Sequence, residues 1–282
     1  MDKEQFEQHL ISANLNWRVN SKEIQTVDGI KIPDTIALVR DDNNAVLGIH
    51  STGYVPYQND ELLELLYRIS QQTGLALHSG GFFKNGEKVW FQLKSDNLTI
   101  GQDRVEGFVS GFNSFDGSTS LAFGNANITV SCMNTFWRGY RAVQSKFRHS
   151  LSMHERIEGI LHNIDIVLEE EKETFQKIRM LSEVKLSQEI LDMVTKRMFD
   201  LKMEEKIAFE ELSTRKINQI NQFYVDVNGE LNSKDHSLWG LFSGVTKYTT
   251  HSMKKGDNSE AKIFGAVGEK ERVIFNDLVA LV

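Results

Sequence analysis

The strongest constraint on the fold is a change of pattern near residue 150. Residues 1 to about 150 form short apolar or alternating runs separated by turn-forming Gly, Asn and Asp, whereas residues from about 152 to 225 form long charged segments with apolar residues at helical spacing. Both prolines, Pro33 and Pro56, precede the helical segments, so neither interrupts them. The pattern predicts an α+β fold, with an antiparallel sheet domain over residues 1–150 and a mainly helical region over residues 151–282 packed on it.

Turn-forming segments predict two hairpins and a β-meander in the first part. The strand-like runs "TIALVR" and "AVLGIHS" flank "DDNN", and Asn85-Gly86 suits a type I′ turn inside "LALHSGGFFKNGEKVWFQLK". Three further runs, "VEGFVSGF", "STSLAFG" and "NITVSCM", are separated by "NSFDG" and "NAN". We therefore expect an antiparallel meander from about Val105 to Met133.

Helical spacing and capping residues predict helices on both sides of residue 150. In the first part, Asn59 or Asp60 is the expected N-cap of a helix that stops at Gly74, and "MNTFWRGYRAVQS" follows the meander as a short helix. The second part opens with "SMHE", a capping box that begins at Ser152 and starts a long helix. Three more helices are expected in "LSQEILDMVTKRMF", "EEKIAFEELSTRKINQINQFY" and "HSLWGLFSGVTKYTTHSM", with "DVNGELNSKD" as a loop between the last two.

Composition excludes several classes of protein. The single cysteine, Cys132, excludes an internal disulfide framework and multi-cysteine zinc sites, and it fits a reducing cytoplasm. The start of the chain lacks the pattern of a secretory signal, and no run approaches the roughly 20 apolar residues that cross a bilayer, so we expect no membrane association. A net charge of −7 argues against general nucleic-acid binding, so any basic surface has to be local.

No motif indicates catalysis. Cys132 and His149 could form a thiol-imidazole pair, but Cys132 lies in a strand pattern typical of a small buried residue. Asp116 precedes Gly117 between two strand runs, which favours a turn over a carboxylate ligand. The closest histidine pair, His149 and His154, lacks the spacing that aligns metal ligands on a helix, and "GGFFKNGEK" lacks the phosphate-loop pattern. We expect no metal, no cofactor, no ATP hydrolysis and no enzymatic activity.

A local basic and aromatic tract remains. Residues 134–156 contain five Lys or Arg against Glu155 alone, a net +4 in a chain of −7. Cations beside aromatic rings are the combination that single-strand binding uses, for phosphates and bases respectively. The same alternation arises when the aromatic residues are core and the cations are solvated, so both interpretations stand. The predicted nucleic-acid-binding residues are Trp137, Arg138, Tyr140, Arg141, Lys146, Arg148 and His149.

Several segments together resemble a known family. The strings "LGIHSTGYVPYQN", "GGFFKNGEKVWFQL", "FNSFDGSTSLAFGNANITVSCMNTF", "SKFRHSLSMHERI" and "LWGLFSGVTKYTTH" resemble, in order and spacing, the phage/plasmid-like proteins catalogued as domain of unknown function 932. The resemblance covers roughly residues 15–280. Two departures stand out, because Phe115 replaces the histidine of the family's Asn-x-His-Asp-Gly corner and Thr129 replaces a common arginine.

The resemblance implies an origin in a phage, prophage or plasmid, and a location in the cytoplasm of a bacterial host. Such proteins look like distant relatives of RecT-like and Redβ-like single-strand annealing proteins, which pack a small antiparallel sheet on a helix, assemble into rings or filaments, and work without ATP. The expected partners are therefore single-stranded DNA and further copies of the chain. The expected function is ATP-independent single-strand binding and annealing in recombination and replication.

The alternative function is a non-enzymatic protein-interaction module of a mobile element, such as an inhibitor of a host defence enzyme or an assembly scaffold. The net acidity of the chain favours it, because an acidic surface can mimic nucleic acid or engage a basic partner.

Overall fold

The computed structural model describes residues 3–100, 103–127, 133–161, 164–204, 207–234, 236–253 and 266–282. The fold class is α+β, as predicted. By contacts, the chain divides into unit 1, which comprises Met1–Asp96 and Glu106–Glu171, and unit 2, which comprises Asn97–Val105 and Lys172–Val282. The predicted domain boundary near residue 150 rests on composition and stays a prediction; residues 151–171 lie in unit 1 by contacts.

The described chain forms two sheets. The three-stranded sheet has the order β1-β2-β3 with antiparallel pairing, and the five-stranded sheet has the order β4-β5-β6-β7-β8. The strands are β1 (Val19–Gln25), β2 (Lys31–Arg40), β3 (Val46–Ser51), β4 (Ala76–Phe83), β5 (Lys88–Ile100), β6 (Asp103–Ser114), β7 (Leu121–Ala126) and β8 (Ser145–Phe147).

Both predicted hairpins are present, as β2–β3 and β4–β5. At the second turn, Asn85 and Gly86 have positive φ angles of 58° and 106°, as their residue types suggest. The predicted two-residue turn is wrong, because Phe83 pairs with Lys88 and leaves a four-residue loop. Strand β1 was not predicted, since only Val19 of its seven residues is buried and no alternation marks it.

The predicted meander is only partly described. Its first two runs form β6 and β7, which pair antiparallel. Most of the third run lies outside the described residues, and so do the predictions for Thr129 and Cys132. On its other side, β7 pairs with β8.

Helices in unit 1 include α1 (Lys3–Ser12), α2 (Asn59–Thr73), α3 (Met133–Ala142) and α4 (Met153–Leu161); α5 (Ile164–Glu183) begins there and ends in unit 2. The predicted N-cap of α2 is wrong. Gln58 caps it in a capping box with Glu61, while the Asn59 amide turns inward and donates to the Leu15 and Trp17 carbonyls. The predicted stop at Gly74 is confirmed, with φ 76°.

The five-stranded sheet carries a helix on each face within unit 1. On β6, Gly111 faces Leu62 of α2, and the next residue, Phe112, faces Gly139 of α3. Successive strand residues point to opposite faces, so this alternation places α2 and α3 on opposite sides of the sheet. Glycine at 139 lets α3 approach Phe112 closely.

Unit 2 is mainly helical, with α6 (Gln188–Phe199), α7 (Thr214–Ser233), α8 (Leu238–Lys247) and α9 (Ala266–Val279). Two predictions fail here. In "EEKIAFEEL", Phe209–Glu211 form a short 3-10 helix outside α7. α7 begins after Ser213, whose hydroxyl oxygen accepts from the Lys216 amide. Most of the predicted loop "DVNGELNSKD" belongs to α7, because Val227 and Leu231 continue its buried face. A five-residue π-helical turn follows α8.

Within the ranges that the structure describes, none of the helices has the length and apolar character needed to span a membrane.

Candidate functional site

Part of the predicted basic tract lies on the edge strand β8, after α3. β8 is the last strand of the five-stranded sheet; among the residues that the structure describes it pairs with β7 alone, where Phe147 is opposite Leu121. Phe147 is buried, while Lys146 and Arg148 on either side of it are exposed. Strand alternation therefore places Lys146 on the opposite face of the sheet from Phe147, and Arg148 follows the end of β8.

A third cation, Arg156 of α4, contacts the backbone that follows β8. The Arg156 Nη2 atom lies 3.4 Å from the Arg148 carbonyl oxygen and 3.4 Å from the Ser150 hydroxyl. The Arg156 guanidinium also lies 5.9 Å from the centre of the Phe147 ring. We call Lys146, Arg148 and Arg156 the basic strip. In the ranges described above, no carboxylate forms an ion pair with any of the three.

Among the described residues, Lys146 has an aromatic ring and another cation as neighbours, and no carboxylate pairs with it. Its ammonium lies 4.9 Å from the centre of the Tyr140 ring. Partial burial lowers the pKa of Lys146, and the nearby positive charge of Arg141 lowers it further. Arg138 and Arg141, the other predicted cations, are only partly exposed on α3. The local environment at Lys146 thus favours the approach of an anion.

Of the predicted aromatic residues Trp137 and Tyr140, the structure describes the side chain of Tyr140, which is buried. The Tyr140 ring is 8% exposed and packs edge-on against Phe112, with ring centres 6.3 Å apart. Its hydroxyl accepts a hydrogen bond from the Ser120 amide at 3.1 Å. The ring has no open face for a base in this structure, so the alternative of core packing describes Tyr140 better. The Trp137 side chain lies outside the described part of the chain.

His149 belongs to a column of stacked rings. Its ring stacks on Tyr54 at 4.7 Å, and Tyr54 stacks on His50 at 4.0 Å, both with the rings nearly parallel. His149 Nδ1 lies 3.3 Å from the Val55 carbonyl oxygen. Burial lowers the pKa of His149 to about 4, and the proximity of His50 contributes. His149 is therefore neutral at pH 7 and, contrary to a role in phosphate binding, adds no positive charge to the basic strip.

The other end of the column meets the turn that follows β6. The Tyr54 hydroxyl donates to the Ser114 carbonyl at 2.9 Å, and His50 Nε2 lies 2.7 Å from the Phe115 carbonyl oxygen. Gly117 has φ 75°, and a Cβ there would lie 2.9 Å from the His50 ring. Glycine is thus required both by the turn and by the histidine.

The predicted Asp116-Gly117 turn is confirmed, and a buried lysine holds it. Lys88, 1% exposed, donates to the Asp116 carboxylate and, at 2.7 Å, to the Ser118 hydroxyl. The Ser118 hydroxyl in turn donates to Asp116 at 2.6 Å. Burial alone would raise the pKa of Asp116, but these hydrogen bonds outweigh it and hold the pKa below its usual value.

The Lys88–Asp116 ion pair and the hydrogen bonds of Ser118 together hold the turn. Among the described residues, no group of three or more His, Cys, Asp or Glu is arranged to hold a metal ion.

A separate cleft of about 450 Å³ lies between α1, α2 and α4. Its apolar lining includes Phe6, Tyr57 and Tyr67. Carboxylates outnumber cations around it, and several are paired, as in Arg68–Glu158. The charged lining residues are Lys3, Glu7, Asp60, Glu61, Glu64, Arg68 and Glu158.

Sequence reasoning found Arg156 as a cation but did not place it in the site, and it missed His50, Tyr54 and Lys88. A strand-initial lysine carries no local signal of burial, because its partner Asp116 lies far along the chain. The string "LGIHSTGY", which holds both His50 and Tyr54, was a signal that could have been used.

Comparison with known proteins gives one match. A family model described as "Domain of unknown function (DUF932)" matches residues 46–268, a range that includes the ring column, the Asp116 turn and the basic strip. No curated protein matches the chain, and no solved structure matches it.

Proposed function

The chain belongs to the family described as domain of unknown function (DUF932), and from that premise we propose that it is an ATP-independent single-stranded DNA-binding and annealing accessory of phage or plasmid recombination and replication. The observation that carries the proposal is the basic strip. Lys146, Arg148 and Arg156 are exposed and without carboxylate partners in the described ranges, and Arg156 contacts the Arg148 carbonyl, although the whole chain is acidic.

The strip suits a single strand for an electrostatic reason. Like charges that lie close together repel one another. A bound phosphate backbone neutralises this repulsion, and the counterions condensed on the nucleic acid are released. Lys146 of β8 and Arg148, one residue beyond its end, are two positions apart in the chain, which corresponds to about 7 Å in extended backbone. The contacts would be to phosphates, so binding would be largely independent of base sequence.

We further propose that several copies act together on one strand, as a ring or a filament in the cytoplasm of a bacterial host. Three cations on one chain can neutralise only about three phosphates, which gives weak binding for a single copy. Copies arranged side by side would repeat the strip along the strand and hold it extended for pairing.

The test compares two charge-matched variants. The triple variant Lys146→Ala, Arg148→Ala, Arg156→Ala removes the strip. The control Lys31→Ala, Lys177→Ala, Arg272→Ala removes three exposed cations that pair with Glu23, Glu173 and Glu269. Both lower the net charge equally. We expect the first variant to bind a single-stranded oligonucleotide at least about tenfold more weakly at 0.1 M salt, and the control to bind within about twofold of the wild type.

Equal losses in the two variants would show that only net charge matters and would refute the strip as the binding site. The variant Arg141→Ala, Arg148→Ala, which also removes a partly exposed cation of α3, is expected to weaken binding across all sequences.

A second function is favoured by the acidic cleft between α1, α2 and α4. A cleft of about 450 Å³ with aromatic walls and an excess of carboxylates suits a basic side chain of a partner protein. Under this proposal the chain is a non-enzymatic interaction module that inhibits a host enzyme or scaffolds an assembly. A stable host partner recovered with the purified protein, without retention of DNA, would support it.

A further inference from the structure

The loop of residues 148–152 joins β8 to α4 and carries an apolar residue that is almost fully exposed to solvent. Leu151 is 89% exposed. The residues that bracket the loop, Phe147 and Met153, are buried at 4% and 0% exposure. The chain therefore leaves the core, presents Leu151 to solvent and returns to the core within a few residues.

The loop is held in this shape by hydrogen bonds. The Val55 amide donates to the His149 carbonyl at 3.4 Å, and the His149 ring bonds the Val55 carbonyl in return. The Met153 amide donates to the Ser150 carbonyl at 2.9 Å. Leu151 is thus presented by an anchored backbone, which limits the entropy that a ligand would have to remove.

Two cations of the basic strip flank Leu151. Arg148 precedes it, and Arg156 contacts the loop through the Arg148 carbonyl and the Ser150 hydroxyl. Single exposed apolar residues are common on protein surfaces and carry no meaning alone. Val27, 110% exposed in the β1–β2 turn beside Asp28, is an instance without flanking cations. Leu151 differs because it lies in an anchored loop next to Arg148 and Arg156, which have no carboxylate partner among the described residues.

We infer that Leu151 is a base-contacting residue, which packs against the face of an unpaired base while Arg148 and Arg156 bind the adjoining phosphates. This inference rests on the proposed single-strand binding and adds the residue that meets the bases, in place of Tyr140. Apolar side chains serve as wedges against base faces in other nucleic-acid complexes. A lone leucine presents too little apolar area to insert stably into a membrane interface, so a nucleic acid is the better occupant.

The experiment pairs Leu151→Ser with the control Val27→Ser, and pairs an ordinary single-stranded oligonucleotide with an abasic one of equal length. Leu151→Ser should bind the ordinary strand about fivefold to tenfold more weakly than the wild type, because apolar contact with a base is lost. It should bind the abasic strand as the wild type does, with an unchanged salt slope, since no phosphate contact is lost. Val27→Ser should match the wild type on both strands.

Each other outcome separates the inference from the proposed function. If the wild type binds neither strand, the proposed function fails and the inference fails with it. If the wild type binds and Leu151→Ser binds equally well, or is weakened equally on the abasic strand, the inference alone is overturned. Loss of binding to phosphatidylserine vesicles in Leu151→Ser, with DNA binding intact, would overturn it in favour of a membrane. Equal thermal midpoints for Leu151→Ser and the wild type would show that folding is unaffected.

Discussion

His149 follows Arg148 in the sequence, yet its ring leaves the basic strip and stacks on Tyr54. Its Nδ1 bonds a backbone carbonyl, and burial keeps the imidazole neutral at pH 7. The residue therefore contributes to the site by anchoring the 148–152 loop. Its place in an alternating basic tract did not reveal this, because the ring partner Tyr54 is distant in sequence.

The buried His149 ring predicts a loss of stability in acid. The folded-state pKa of about 4 lies below the unfolded value near 6.5, so the unfolded chain binds the proton more readily. The contribution is complete above pH 6.5 and is lost as the pH falls towards 4, by up to about 3 kcal/mol. Urea unfolding at pH 7 and pH 4.5 measures this change.

The variant His149→Gln isolates the effect from the carboxylates that also titrate in acid. In His149→Gln, the unfolding free energy should fall less between pH 7 and pH 4.5 than it does in the wild type. In the control His251→Gln, at an exposed position, it should fall as much as in the wild type. An identical pH dependence in His149→Gln and the wild type would mean that this ring is not the group responsible.

Other single residues show which features of the site could be predicted from the sequence and which could not. The Asp116-Gly117 turn could be predicted because its residue types favour it locally. The ion pair of Asp116 with Lys88 could not, since it joins two strands whose register is set by the whole sheet. Likewise, an aromatic residue at helical spacing can be either buried or exposed. In the folded chain Tyr140 packs on Phe112 and is buried.

At the scale of elements, the position of α3 relative to the sheet depends on Gly139. A Cβ at this residue would lie 2.6 Å from the Phe112 ring, which is fully buried. Gly159 in α4 is also helical, but a Cβ there would meet no atom within 4 Å. The two glycines form a matched pair, because the same substitution meets a packed ring at one site and open space at the other.

Gly139→Ala should destabilise the protein by about 1–2 kcal/mol, because the clash outweighs the gain in helix propensity. Gly159→Ala should stabilise it by up to about 1 kcal/mol through propensity alone. Urea unfolding of both variants checks the pair. A stabilising Gly139→Ala would show that α3 does not pack on Phe112 as described.

Elements with strong local signals were the ones that sequence reasoning found. Both hairpins, α2 with its Gly74 stop, and α6 follow from turn, cap and periodicity rules. Strand β1 and the end of α7 did not follow from them. β1 is mostly exposed and lacks alternation, whereas α7 continues through Gly229 because tertiary packing of its apolar face overrides the turn-like composition.

On the scale of the whole molecule, the net charge of the chain and the charge of the basic strip have opposite signs. The chain carries a net −7, which repels a polyanion at long range, whereas Lys146, Arg148 and Arg156 attract it at short range. Composition alone predicts the first effect. The second depends on the alternation of β8 and on the approach of Arg156 from α4, which only the folded chain brings together.

The most direct test is a fluorescence-anisotropy titration of the purified wild-type chain with single-stranded and double-stranded DNA at two salt concentrations. With about three phosphates neutralised per chain, the logarithm of the single-strand binding constant should fall with the logarithm of salt with a slope of about −2. Double-stranded DNA should bind more weakly at both salt concentrations. Absent binding of the single strand, or binding that salt leaves unchanged, would contradict the central claim.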